Sequence, residues 1–506
     1  MPDTATYAFD TFKAVLYCGL EFIMMRSLYS GVSGLKVHQT KMDVIGNNIA
    51  NVNTVGFKSS QVNFSDILYQ TTSNASGPNA EAHTAGINAK QIGLGSTVAA
   101  VSTTVTVSGG SQRTDNALDI MIEGDQFFIV NNGQQNFFTK AGAFTVDASG
   151  LLCNSGGCKV MGWQVDPNDP DKCVHDTVSD LRVRSAENMQ VPPEATTDVT
   201  FTGNIDYKDT QLRSDTGKTT TMSFYDKLGQ SYMAVLNITQ PADAENNGVY
   251  AVRISDILDS TGQSIFVKAN VDDSNNVTYD ASAITSFTFG GQDVSVSEID
   301  PETGKVTIES EGIQLKFNPA NGKFISIGEE EGAKTVPFQI TGDDENSPFT
   351  EITCDFSAMT MYASSGSSTF AAQRGSLGEG YGAGKPKGNM TGLAVDSSGR
   401  IYGSYDNGDK KLLCQIAVAQ FANPAGLEAA GNSLFSATMN SGEFNGIGED
   451  ISVAGGKMTT GVLEMSNVDL STEFTSIITT QRGFQANSRI ITTSDTLLEE
   501  LINLKR

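Results

Sequence analysis

The sequence predicts a multidomain, mainly-β chain whose two terminal α-helices form a coiled-coil-like core domain, with mainly-β inner and outer domains between them. Three observations predict it. Apolar residues recur at heptad spacing at both ends of the chain. Between the ends, short runs of β-branched and aromatic residues are separated by turn dipeptides. The 506 residues include 51 glycines but only 39% hydrophobic side chains, which favours several β-rich modules over one large core.

The first element opens after a short, weakly basic stretch. Lys13 precedes an apolar run from Ala14 to Ile23 that Glu21 interrupts. The flank is thin and no small-residue cleavage site follows, so it makes a poor signal peptide. Residues 1–23 read as a non-native leader or a mis-assigned start, with the product beginning at Met24 or Met25. Leu28, Leu35, Met42 and Ile49 then recur every seventh residue, and Val32, Ile45 and Val52 widen the apolar side. The spacing predicts an amphipathic helix within 24–60. Gly31, Gly34 and Gly46 each cost an isolated helix about 1 kcal/mol and are tolerated where a neighbouring backbone packs closely. Asn47, Asn48 and Asn51 supply three amides near its end, for capping or for bonds between subunits, and Gly56 marks the turn that follows.

Residues 61–95 read as a connecting segment. The inner β-domain is discontinuous, over 96–165 and 375–460. Its strands are visible in Leu118–Ile122, Phe127–Val130, Phe137–Phe138 and Phe144–Val146, with turns at Asn131–Gly133 and Asp147–Gly150, and the pattern resumes from Leu393 through Val418. Trp163 is expected in a core or at a domain edge. Residues 166–374 form an inserted, β-rich outer region that holds the acidic loops Glu329–Glu331 and Asp343–Asn346. The Gly-rich 375–389 stretch reads as a long loop. The last element, 461–506, carries Leu470, Phe474, Ile477, Gln481, Phe484, Ser488, Ile491, Asp495, Leu498 and Ile502 at alternating spacings of four and three. Asn467 is placed to cap this helix, Asp469 and Glu473 suit its N-terminus, and Lys505 and Arg506 suit its C-terminus. Two apolar stripes bury most cheaply against each other, and a single pair leaves further apolar surface for self-association.

Chemistry is sparse. The formal charge of −25 excludes a broad cationic surface for nucleic acid. No apolar run is long enough to insert into a membrane. The six cysteines (Cys18, Cys153, Cys158, Cys173, Cys354, Cys414) and three histidines (His38, His83, His175) complete no zinc pattern. The Cys153–Cys158 spacing permits a hairpin disulfide or two plain thiols. No metalloprotease helix or nucleophile elbow occurs, and the glycine-rich Gly380–Lys387 lacks the ending of a phosphate loop. We expect no enzyme, no cofactor and no metal.

Several stretches carry a resemblance. Met24-Met-Arg-Ser-Leu-Tyr-Ser-Gly-Val-Ser-Gly-Leu35, Asn47-Asn-Ile-Ala-Asn-Val-Asn-Thr-Val-Gly-Phe-Lys58, Glu464-Met-Ser-Asn-Val-Asp-Leu470 and Gln481-Arg-Gly-Phe-Gln-Ala-Asn-Ser-Arg489 resemble the two ends of bacterial flagellar axial proteins of rod and hook. Asp119–Val130, Phe138–Phe144, Ala419–Leu427 and Gly431–Phe435 are similar to that family's inner β-domain. The likeness spans roughly 24–165 and 390–506, and the large insertion between the halves suits hook subunits. The resemblance implies export through the flagellar type III apparatus without a cleaved leader, and assembly under a hook cap onto the rod. It implies a curved, flexible, extracellular homopolymer that passes torque to the filament through hook–filament junction proteins. From the stripes themselves we expect the assembly contacts at Leu28, Leu35, Met42, Ile49, Val52, Asn47, Asn48 and Asn51 on the first helix, and at Leu470, Phe474, Ile477, Phe484, Ile491 and Leu498 on the last. A distal rod subunit, and an extracellular β-rich adhesin or carbohydrate-binding protein, remain alternatives.

Overall fold

The computed structural model describes residues 4–78, 85–241, 248–271, 277–282, 284–341, 347–378 and 380–503, with side chains from Met25 onward except at Val271 and Leu501. Among them lie two α-helices, α1 (Thr4–Ala50) and α2 (Leu470–Asn503), and the rest is chiefly strand and turn. The chain divides into two compact units: 1–185 with 393–403 and 411–506, and 186–392 with 404–410.

In the first unit, α1 begins before the predicted start and stops at Ala50, short of residue 60. The side chains before Met25, on which the expectation of a mis-assigned start rests, lie outside the described residues. Gly56 adopts φ 68°, and a Cβ there would sit 2.7 Å from the Ala141 nitrogen, so only glycine makes this turn without displacing the backbone beside it. The predicted connecting segment is instead a ribbon. Strand β1 (Ser60–Asp66) continues into β2 (Tyr69–Ser73), and β3 (Lys90–Gly93) into β4 (Ser96–Thr103). β1 pairs antiparallel with β4, with a register shift at Asn63/Phe64, and β2 pairs with β3. β4 therefore belongs to this arm and not to the inner domain.

The β-body of the first unit centres on strand Lys159–Asp166. Along one edge it pairs through Lys159 and Val160 with Phe127–Asn131 and through Gly162–Gln164 with Cys414–Ile416, and Ser179–Asp180 takes the opposite edge. Phe127–Asn131 pairs in turn with Asn136–Thr139, and that strand with Leu434–Ser436. Their alternate side chains, Phe127, Ile129, Phe138, Trp163, Phe421 and Phe435, form one buried cluster. Edge-to-face contacts such as Phe138 on Phe421, at 4.7 Å, organise it. Trp163 is a core residue whose indole N–H donates to the carbonyls of Asp176 and Ile447. The unit extends to Ser185, past the predicted edge at 165, because Asp169–Cys173 and Ser179–Asp180 fold back onto Lys159–Asp166. The returning chain adds Lys457–Thr460 beside Ile120–Glu123 and Val462–Glu464 beside Ser111–Arg113. Val462–Glu464 occupies the start of the predicted 461–506 helix, and α2 opens only at Leu470.

Cys153 and Cys158 are free thiols, so the hairpin disulfide that their spacing permits does not form. The Cys153 thiol turns to the Thr145 carbonyl, while Cys158 is buried at the end of a turn held by the Asn154 side chain.

The second unit packs its two largest sheets over a single hydrophobic core, beside a two-stranded ribbon of Val267–Val271 and Val277–Ala281. A seven-stranded sheet runs in the order Val306–Ile308, Gln292–Ile299, Ser286–Phe289, Thr335–Thr341, Ile352–Thr360, Asp198–Asn204, Thr369–Arg374; its one parallel pair joins Asp198–Asn204 to Ile352–Thr360. A five-stranded sheet runs Lys218–Tyr225, Ser231–Thr239, Val249–Leu258, Ile313–Phe317, Phe324–Ile327. Phe201, Phe224, Leu236, Tyr250, Phe338 and Phe356 come from both sheets into one cluster. The Gly-rich stretch is pinned by paired backbone bonds between Lys385 and Glu194. The acidic loop Asp343–Asn346 and the cations Lys505 and Arg506 lie outside the described residues.

Candidate assembly surface

The terminal helices pack antiparallel, and small residues line the seam. The Ser27 and Ser494 hydroxyls meet at 3.3 Å, Gly31 lies against Ile491, Gly34 against the Asn487 amide, and Gly483 against the His38 ring. Thr480 and Ser494 are buried on α2, and Gly31, Gly34, Val37, Ile45 and Asn48 on α1. A Cβ at Gly34 would stand 2.5 Å from Asn487 Nδ2, so the close approach depends on glycine.

The large apolar residues predicted as assembly contacts lie beside this seam. Leu28, Leu35, Met42, Ile49 and Val52 are half-buried, as are Ile477, Phe484, Ile491 and Leu498. Leu470 and Phe474 face outward, Phe474 with 53% of its surface free. The physical reason is steric: at the closest crossings Gly31, Gly34 and Gly483 leave no room for a bulky side chain, and of the larger apolar residues described on the two helices only Val37 and Ile45 are buried. Sequence reasoning missed Met25, Tyr29, Ile478, Ile490 and Leu497, which are exposed on the same two helices. Each lies beside the a/d stripe, and the glycines of α1 were the signal that the true seam lay elsewhere. A further apolar hollow of about 620 Å³ opens beside α1, lined by Met25, Tyr29, Ile67, Leu68, Tyr69 and Leu94. The arm that walls it is a two-stranded ribbon with most side chains exposed, an element only marginally stable by itself in water.

The predicted asparagines act at the root of the helices. Asn48 is buried; its amide donates to the Ser60 carbonyl and to Glu473 Oε1 and accepts from the Ser60 N–H, tying α1, β1 and α2 together. Asn51 donates back to Asn47, whose side chain is exposed. Asn467 does not cap α2. It accepts from the Ser59 N–H and donates to the carbonyls of Thr104 and Val107. It stands too far ahead of Leu470 to reach the first turn, and Asp469 caps instead, accepting from the Ser471 N–H and the Thr472 hydroxyl. Those bonds hold its carboxyl below the usual range.

Beneath this root lies a group of charges that sequence reasoning did not foresee. Lys58 and Glu464 form a 2.7 Å ion pair with side chains 1% and 0% exposed. Lys140 is buried nearby, donating to the Gly124 carbonyl and lying over the Phe127 ring. Burial pushes its ammonium down to about 8, against the attraction of Glu464. Among the described residues no cluster of His, Cys, Asp or Glu is arranged to hold a metal, and no helix is long and apolar enough to cross a membrane.

The helix pair and the β-body both contain regions matched by family models of bacterial flagellar axial proteins. "Flagella basal body rod protein" matches residues 28–58, "Flagellar hook protein FlgE/F/G D1 domain" residues 121–207, and "Flagellar basal body rod FlgEFG protein C-terminal" residues 459–504. Among curated relatives, the flagellar hook protein FlgE of Treponema pallidum is 34% identical over 96% of this chain and all of its own, and that of Borreliella burgdorferi 36% identical over 95% of this chain and all of its own. The rod protein FlgG of Bacillus subtilis is 28% identical over 96% of this chain and all of its own. Among solved structures, the Helicobacter pylori hook protein FlgE2 aligns over 70% of this chain and all of its own, at 13% identity and a TM-score of 0.34. The chain belongs to the flagellar hook protein family, whose members are structural subunits of the hook.

Proposed function

We propose that the chain polymerises through the outer faces of α1 and α2 into a curved hollow tube that passes torque from rod to filament. One observation carries this reading: the helices spend small residues on each other and keep large apolar ones exposed. The predicted assembly residues are assigned accordingly. Leu470 and Phe474 are outward contacts, and Leu28, Leu35, Met42, Ile49, Val52, Ile477, Phe484, Ile491 and Leu498 flank both the seam and the neighbouring copy. Asn47 is free to bond between copies, while Asn48 and Asn51 set the helix root.

Geometry favours contacts between copies. Glu473 lies beside Asn48, so Phe474 is at the opposite end of the helix pair from the hollow at Tyr29. At 1.5 Å per residue the two are about 28 Å apart, beyond the reach of one molecule's own side chain. A knob-in-hollow contact between them therefore joins different copies head to tail, and it continues as an open helical array wherever its rotation does not close a ring. The partners in this reading are other copies, the rod, the hook cap, the junction proteins and the type III export apparatus, and the site is extracellular, reached without a cleaved signal. The role is structural and not catalytic, and needs no cofactor.

Negative-stain microscopy of the purified full chain at high concentration, with and without a cap protein, tests this. Curved hollow tubes are expected. Straight tubes favour the rod subunit, consistent with the rod relative above; monomers in every condition, cap included, refute the reading.

A further inference from the structure

Two of the stretches singled out in the sequence bring together their outermost charged residues: Asn47–Lys58 ends on Lys58, and Glu464–Leu470 begins on Glu464. These residues lie 406 positions apart. We infer that Lys58 and Glu464 form a buried electrostatic latch that roots both terminal helices in the β-body and closes only when the two ends of the chain have met.

Three segments converge on the pair. Lys58 Nζ also donates to the Val107 carbonyl at 2.8 Å, and Glu464 Oε1 also accepts from the Gly109 N–H at 3.1 Å. The Gly56 N–H donates to the Glu464 carbonyl at 2.8 Å, and Asn467 bridges Ser59 to Thr104 and Val107. Each helix root is thus held by a charge that the other end of the chain neutralises. Either charge buried alone is strongly unfavourable, whereas replacing both by apolar residues of similar volume is close to neutral. The N-terminal root therefore stays undocked until the segment at Glu464 arrives. The second carboxylate oxygen, Glu464 Oε2, is buried with no hydrogen bond of its own. Lys140 is near enough to interact with that carboxylate, and Asp125 also attracts Lys140. Glu464 thus faces two ammoniums, and Asp125 shares the second. Losing Glu464 leaves Lys58 uncompensated and Lys140 with Asp125; losing Lys58 leaves Glu464 with Lys140.

The latch concerns the single chain and does not depend on polymerisation. Hydrogen exchange on the full-length monomer tests it, comparing peptides over 55–60 and 104–110 with the core strand Phe127–Asn131. Lys58→Met and Glu464→Gln should speed exchange in the first two peptides by about tenfold or more, Glu464→Gln more than Lys58→Met, while the core strand keeps its protection. The Lys58→Met/Glu464→Met pair should return to within about threefold of the parent. Unchanged root exchange in the single variants overturns the inference, as does a core strand that opens in step with the root. If Glu464→Gln does not fold, Lys58→Met and the double variant decide. A double variant no better protected than Lys58→Met overturns the latch; a better protected one supports it.

Discussion

Phe474 offers the sharpest test of how the helices are used. It sits in the first turns of α2 with 53% of its surface free. About half of a phenylalanine's ~200 Å² is therefore available to a neighbouring copy, which at ~25 cal/mol per Å² amounts to about 2.5 kcal/mol. Phe474→Ala removes that gain from each contact. Since every ~1.4 kcal/mol is tenfold in an equilibrium constant, the critical concentration for assembly should rise about 60-fold. Sedimentation of polymer from monomer across a concentration series measures it directly. The monomer should change little, because the residue is not in the seam, and the buried Trp163 gives a fluorescence melt of the β-body as control. A critical concentration within about twofold of the parent would show that the exposed stripe plays no part in assembly.

Three further outcomes are expected. Gly34→Val drives a branched side chain into the Asn487 amide, whose nitrogen lies 2.5 Å from the point a Cβ would occupy, and should lower the far-ultraviolet helical signal while leaving the Trp163 melt in place. His38 is held below its ordinary value by burial and by Lys41, beside the Phe64 ring and Gly483; its share of seam stability is present above about pH 6.5 and is lost as pH falls through the folded value. Circular dichroism between pH 7 and 5 should show the helices loosening, less so in His38→Gln. Lys140, near 8 when folded against about 10.4 unfolded, makes the unfolded chain hold more protons in that window, so the β-body should gain on the order of 3 kcal/mol from pH 7.5 to 10.5 relative to Lys140→Met, read as a difference in denaturant midpoints.

Periodicity made the helices legible and hid their seam. A heptad pattern equates the packed face with the bulky face, and that holds when two helices bury each other alone. Here the packed line runs through Gly31, Gly34, Thr480, Gly483 and Ser494, residues that a hydrophobicity pattern scores as blank. The β-body was readable because its strands are short, aromatic and bounded by turns such as Asn131–Gly133. The arm was not: β2 and β3 are polar and exposed, so neither alternation nor burial marks them. Nor does any local pattern announce that Lys58 and Glu464 will meet, because the pairing is a property of topology and not of spacing.

Division of labour between residues has a thermodynamic consequence. If one face both folded the helix pair and joined the copies, every substitution that weakened assembly would also unfold the subunit. In this chain the two tasks fall on different side chains, Gly34 on the seam and Phe474 outside it, about 20 Å apart along α2 when Gly34 is placed at its partner Asn487. Sites so separated contribute additively. Phe474→Ala combined with Gly34→Val should then show the assembly defect of the first plus the helical loss of the second. An interaction energy above about 0.5 kcal/mol would mean that the outer stripe and the inner seam are one cooperative surface, and that the helices complete their folding only within the polymer.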